Sequence, residues 1–225
     1  MNSRKSAPAA QSSAPRELDQ PTKSGVYWTP PVPENGVLAD DVGLTFTRFT
    51  TDGDYLTKAF SIVDGQLVKT AHATLWSATA ETVSVRGLDD FARFLDDLEP
   101  TQGVAFGVMF RRAEARVAVE SKRKRTPDAV ARTREFFQFA PRPGILMLDH
   151  DGTVDGSPIT PEELRDRLIA AVPTLEHTPI LWRPSASSGL IGPDGQPMPG
   201  ACGQRLYIAV ADASLIPDAG KAIWS

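Results

Sequence analysis

The sequence predicts an α/β (α+β) fold, a mostly antiparallel sheet with flanking helices over residues 44–225. Three observations carry this. Apolar runs of strand length recur between Leu44 and Val85, and again near 145–150, 180–183 and 204–210. Helical periodicity separates them, with Leu88, Phe91, Leu95 and Leu98 in one segment and Leu164, Leu168 and Val172 in another. Glycine turns at Asp64-Gly65 and between Gly192 and Gly200 read as hairpin tips, which favour antiparallel pairing.

Composition narrows the class. A chain of 225 residues with 41% hydrophobic and 23% charged residues is long and apolar enough to bury a core. The net charge of −4 does not mark the whole chain as a nucleic-acid binder. Cys202 is the sole cysteine, which excludes an internal disulfide and a zinc cluster and fits a reducing compartment. No apolar run reaches membrane-spanning length, and Arg4 and Lys5 are followed by Ser, Ala, Pro and Gln where a signal peptide would be apolar. The expected location is cytoplasmic, with no membrane partner.

In chain order, residues 1–43 read as a disordered or extended tail. The first part is rich in Ser, Ala, Pro and Gln, and Pro30, Pro31 and Pro33 follow. Tyr55 to Ile62 and Gln66 to Lys69 form a predicted hairpin, continued by Leu75-Trp76 and Thr82 to Val85. After the first helix, Gly103 to Phe110 reads as one strand. Between Arg111 and Arg134 nine Arg or Lys stand against three acids, including Lys122-Arg123-Lys124-Arg125. This segment reads either as a solvated basic loop or as a phosphate-contacting arm with salt-sensitive binding. Thr126-Pro127-Asp128 predicts a helix start that carries Arg132 and Arg134 toward the next strand. Thr160-Pro161-Glu162-Glu163 is a capping-box signature for the second helix. In the strand 204–210, Leu206, Ile208 and Val210 share one face and Arg205 and Tyr207 the other, and a short helix begins near Ile216-Pro217.

The chemistry concentrates at Gly144-Ile-Leu-Met-Leu-Asp149-His150-Asp151-Gly152. Strand alternation sends Asp149 and Asp151 to one face and His150 to the other. Two carboxylates about 7 Å apart at a strand end can share hard divalent cations. An ordinary solvated Asp-Gly turn is the plainer reading. Arg183, Ser187 and Ser188 follow a strand end, where they either contact phosphates or form a simple turn.

Two resemblances attach to these residues. Leu148-Asp-His-Asp151-Gly-Thr-Val154 resembles the first motif of the haloacid dehalogenase superfamily of phosphatases. That family implies a doubly wound domain, an Asp149 nucleophile, an Asp151 general acid and Mg²⁺. Ser187 and Lys221 are the residues available for its later motifs, and its distal acidic pair has no counterpart. From about Leu56 onward the chain resembles the archaeo-eukaryotic primase superfamily, in particular plasmid- and phage-type primase-polymerase domains. The residues that carry this are Leu56-Thr-Lys-Ala-Phe60 with Gln66-Leu-Val-Lys69 behind it, Val130-Ala-Arg132-Thr-Arg134, Arg142-Pro-Gly-Ile-Leu-Met-Leu-Asp149-His-Asp151, Arg183-Pro-Ser185-Ala-Ser187-Ser188-Gly189 and Gly203-Gln-Arg205-Leu-Tyr207-Ile-Ala-Val210, in that order.

The second resemblance implies template-directed nucleotidyl transfer in plasmid or phage replication. Asp149 and Asp151 would be the catalytic, metal-holding acids for Mg²⁺ or Mn²⁺. Arg183, Ser187, Ser188 and Arg205 would contact the nucleotide phosphates, and Lys122, Arg123, Lys124, Arg125, Arg132 and Arg134 the nucleic acid. Implied partners are a single-stranded template and nucleoside triphosphates, with a helicase or a separately encoded C-terminal part. Two departures stand out. Arg205 occupies the position where the family has a His, and the strand that supplies the family's third carboxylate lies beyond Ser225. The expectation is a C-terminally incomplete, weakly active or inactive primase-polymerase domain, with an uncovered sheet edge and exposed apolar surface near Ile216 and Ile223. A non-catalytic nucleic-acid-binding module is the alternative that keeps the basic segment and sets the acids aside.

Overall fold

The computed structural model describes residues 26–28, 43–53, 55–56, 58–63, 66–71, 75–118, 128–151, 159–186, 188–192, 194–196, 198 and 202–224. In chain order the first elements are β1 (Val26–Trp28), β2 (Gly43–Thr51), β3 (Lys58–Val63), β4 (Gln66–Ala71), β5 (Ser77–Arg86) and helix α1 (Gly87–Asp96). Five short strands follow up to the acidic one: β6 (Gln102–Ala105), β7 (Val108–Met109), β8 (Glu114–Ala118), β9 (Val130–Ala131) and β10 (Phe137–Gln138). The last part holds β11 (Gly144–His150), α2 (Pro161–Ala171), β12 (Ile180–Pro184), β13 (Gln204–Val210) and α3 (Ile216–Trp224).

The architecture is mixed α+β with mostly antiparallel sheets. One sheet has the order β1-β12-β13-β11 and is antiparallel throughout. A second has the order β6-β2-β5-β8-β9, in which only the short β8–β9 pair is parallel. β3 and β4 form the predicted hairpin, with Val63 opposite Gln66 across the two-residue tip. The sequence placed Val26–Trp28 in an extended, loosely attached stretch, and these residues are extended and pair antiparallel with Ile180–Trp182 as an edge strand. Gly43, the last residue of the expected tail, opens β2, and the rest of that tail lies outside the described residues.

Alternation explains how the sheets cover one another. On the first sheet Leu146, Ile180, Leu206 and Ile208 face α2, whose Leu164 and Leu168 are buried against them. Thr160 starts α2 by accepting a hydrogen bond from the Glu163 N–H at 3.1 Å, while the Glu163 carboxylate pairs with Arg167. The opposite face carries Ile145, Leu181 and Tyr207, packed against Leu44 and Phe46 of β2 and Leu88 and Phe91 of α1. Gly87, at φ 65°, turns β5 directly into α1 without a loop. Phe91 joins the layers, with its ring 5.2 Å from Phe46 and 5.3 Å from Tyr207, both edge-on.

Three expectations are corrected. The segment 103–110 is two strands, because the chain bends at Phe106-Gly107 and hands β7 to a separate pairing with β10. No helix runs through Arg132 and Arg134. Val130–Ala131 pairs with Val117–Ala118 as a strand, and turns follow, so sheet pairing overrides the helix-start signal. The surface near Ile216 and Ile223 is covered: Ile216 is buried and Ile223 packs on the same cluster as α2.

Phe91 is fully buried and touches both sheets through its ring contacts. Phe91→Ala should therefore lower stability by about 3–5 kcal/mol. Urea unfolding checks this, with the midpoint falling at an unchanged m-value. A loss below about 1 kcal/mol would show that the layers are joined elsewhere.

Candidate functional site

The register of three strands builds the site. Asp149 of β11 lies opposite Arg205 of β13, and Arg205 lies opposite Arg183 of β12. Directly opposed residues point to the same face, so these side chains form one cross-strand row. A second row continues the pattern past the strand ends. The Ser185 N–H donates to the Gly203 carbonyl at 2.9 Å, and a Cβ on Gly203 would lie 3.7 Å from Asp151 Oδ1. Asp151, Gly203 and Ser185 thus extend the first row outward. The same Cβ would collide with Ser185 Oγ, so only glycine leaves the notch between Asp151 and Ser185 open.

Arg205 Nε donates to Asp149 Oδ1 at 3.3 Å, a long, half-exposed ion pair. Burial works against the Arg205 charge, but the Tyr207 hydroxyl and the Asp149 carboxylate outweigh it and hold its pKa above the ordinary arginine value. Tyr207 is buried, and burial pushes its phenol up although Arg205 pulls it down. Asp149 Oδ2 and the Asp151 carboxylate have no hydrogen-bond partner among the described residues. The row therefore presents carboxylate oxygens beside a guanidinium.

The other site expectations fare differently. Arg183 is turned onto α1: its side chain is 7% exposed, it donates to the Ala92 carbonyl at 3.2 Å and it pairs with Asp96. A cation at the C-terminal end of a helix is favoured there by the helix dipole. Ser188 is buried and donates its hydroxyl to the Gly203 carbonyl, which fixes the turn. Ser187 and Lys122 to Arg125 lie outside the described residues. Arg132 and Arg134 are exposed and line a cleft with Lys221, Ser214 and Pro217, close to the far end of β11 from Asp149. Five residues along the strand separate the two ends, or about 17 Å at 3.4 Å per residue.

Gly203 and Ser185 were not singled out as site residues from the sequence. Their signal is the pairing itself, since continuing the Arg183–Arg205 register by two residues sets Ser185 against Gly203. Asp212, beyond the other end of β13, is taken up in capping, accepting from the Ser214 N–H at 2.9 Å.

Two carboxylates on one face at a strand end are the ligand type that hard divalent cations take. Among the described residues no group of three or more His, Cys, Asp or Glu side chains could hold a metal. The doubly wound parallel sheet implied by the phosphatase resemblance does not match β11, an edge strand antiparallel to its one ladder partner. No family model, curated protein or solved structure matches the chain. No helix among the described residues is long and apolar enough to cross a membrane.

The buried Arg183 contact assigns that side chain to stability. Arg183→Ala should cost about 2–4 kcal/mol, since it removes a buried cation from both Asp96 and a helix end. Chemical denaturation measures this, and a change within 0.5 kcal/mol, about the size of a surface substitution, would contradict it.

Because the Tyr207 phenol is raised, its stabilisation is complete below its ordinary value of 10.0 and is lost as pH rises through the higher folded value. Denaturation between about pH 8 and 12 should show an alkaline decline that Tyr207→Phe reduces. An identical decline in both proteins would assign it to other groups.

Proposed function

We propose that this chain is a primase-polymerase-type nucleotidyl-transfer domain. Its acidic row takes the metal-bound triphosphate of an incoming nucleotide. The observation that carries this reading is the in-register placement of Asp149 beside Arg205 at the open end of β11 and β13, with Asp151 over the glycine notch. Carboxylates alone would suit a bare cation, and a guanidinium alone would suit a phosphate. Their juxtaposition favours a ligand that carries both, such as a divalent cation complexed to phosphate.

Asp149 and Asp151 would hold Mg²⁺ or Mn²⁺, which when bound supplies charge neutralisation at the reacting phosphate. Arg205 would orient the phosphate. The Asp149 carboxylate accepts from Arg205 Nε at 3.3 Å, which biases the guanidinium toward the acids before any ligand arrives. An arginine in place of the family's histidine keeps phosphate affinity but supplies no neutral, titrating group. Two carboxylates are few for holding two ions against their repulsion, so synthesis by this chain alone is expected to be weak or absent.

A second reading, a non-catalytic nucleic-acid-binding module, is favoured by one observation. The exposed Arg132 and Arg134 line a cleft with Ser214, whose neighbour Ala213 packs on Gly144, at the other end of β11 from the acids.

Nucleoside triphosphate binding in Mg²⁺ or Mn²⁺ is the direct test. The Asp149→Ala, Asp151→Ala double variant and Arg205→Ala should each weaken it by at least about tenfold, as loss of a charge-assisted contact does. Primer synthesis on a single-stranded template should be slow or undetectable. Binding indifferent to all three substitutions would sink the nucleotidyl-transfer reading. Robust synthesis lost in the double variant would show that two carboxylates suffice.

A further inference from the structure

The cleft at the far end of β11 has its own chemistry. Its volume is about 750 Å³, within the usual range of small-molecule sites. Phe49, Ala105 and Phe137 form an apolar wall, and the Phe49 and Phe137 rings lie 5.5 Å apart. Phe139, 36% exposed, adds an accessible ring to the lining.

The polar part of the lining is cationic. Arg132, Arg134 and Lys221 line the cleft beside the uncharged Thr133, Gln138 and Ser214, and among the described residues no carboxylate does. Lys221 is paired with Asp218 at 2.9 Å, so its charge is largely balanced. Arg132 and Arg134 are exposed, and neither is in an ion pair among the described residues. An apolar ligand would leave these two guanidinium groups unused, and a bare anion would gain nothing from the phenylalanines. A ligand with an aromatic ring and a phosphate uses both, through ring packing and paired N–H donors.

We propose that this cleft binds a nucleotide unit, with its base against Phe137 and Phe139 and its phosphate on Arg132 and Arg134. The unit is either a free mononucleotide or one residue of a single strand. The site is distinct from the acidic row and needs no divalent metal, so it stands whether or not Asp149 and Asp151 support nucleotidyl transfer.

The test is titration of the full chain in EDTA with adenosine monophosphate, inorganic phosphate and a short oligothymidylate. Adenosine monophosphate should bind more tightly than inorganic phosphate. The Arg132→Ser, Arg134→Ser double variant should weaken that binding by at least about tenfold, and Phe139→Ser by about tenfold. These side chains are exposed, so the variants should fold, which an unchanged unfolding midpoint would verify. The Asp149→Ala, Asp151→Ala variant should bind adenosine monophosphate as the unmodified chain does, which separates this site from the acidic row. Tighter binding of the oligothymidylate would identify a strand as the source of the unit, and equal or weaker binding a free nucleotide. Equal affinity for inorganic phosphate and adenosine monophosphate would overturn the aromatic part of the proposal. No binding, or binding unchanged in the cleft variants, would overturn it entirely.

Discussion

The constraint on which the rest depends is the parity of β13. This strand is paired on both sides, with β11 along one edge and β12 along the other. Leu206 and Ile208 must face the α2 cluster, which forces Arg205 and Tyr207 to the opposite side. A slip of one residue would bury Arg205 among leucines and expose Leu206, so the register is strongly specified. Fixing β13 fixes its neighbours, and the Asp149–Arg205 row follows from the same hydrophobic pattern that builds the core. Buried Gln204 is the exception on the apolar side, and it is satisfied there: it accepts from Trp182 Nε1 at 2.6 Å and donates to the Ile159 carbonyl at 2.7 Å.

The row is electrostatic machinery more than a source of stability. At 3.3 Å and half exposed, the Asp149–Arg205 pair is worth on the order of 0–1 kcal/mol to folding. Its weight lies in orientation. Tyr207 packs edge-on against Phe91 on the face of β13 that also carries Arg205. Arg183, one strand further, makes the contrary choice and turns its charge onto the end of α1. The same residue type in the same row has one member left half exposed and the other withdrawn into the scaffold.

Much of this was legible in the sequence, where a single periodicity decides the matter. The alternation of Leu206, Ile208 and Val210 with Arg205 and Tyr207 gave the two faces of β13 correctly, and Thr160 marked the start of α2. What failed needed knowledge of partners. Thr126-Pro127-Asp128 carries a sound local helix signal, yet Val130–Ala131 gains more from pairing with Val117–Ala118. The burial of Arg183 depends on Asp96, 87 residues away, which no local pattern exposes. Gly203 has no side chain to announce itself, and its meaning emerges only when Ser185 and Asp151 converge on it. Val26–Trp28 sits among prolines that suggest an extended, loosely attached stretch, and only the open edge of β12 accounts for its pairing.

The two ends of β11 also differ in how the chain closes over them. At the Gly144 end a Cβ would come within 2.8 Å of the Ala213 Cβ, so the chain after β13 presses directly onto the strand. There the Thr45 N–H and hydroxyl both donate to the Pro143 carbonyl, tying the second sheet to the first. At the Asp149 end no such cover exists among the described residues, and Asp149 and Asp151 are exposed. About 17 Å of strand separates these ends, roughly twice the screening length of about 8 Å at physiological ionic strength. Charges placed at the two ends of this strand are therefore largely screened from one another. Substitutions at the two ends should combine additively in stability, and any coupling between them would have to pass through the rigid strand rather than through space.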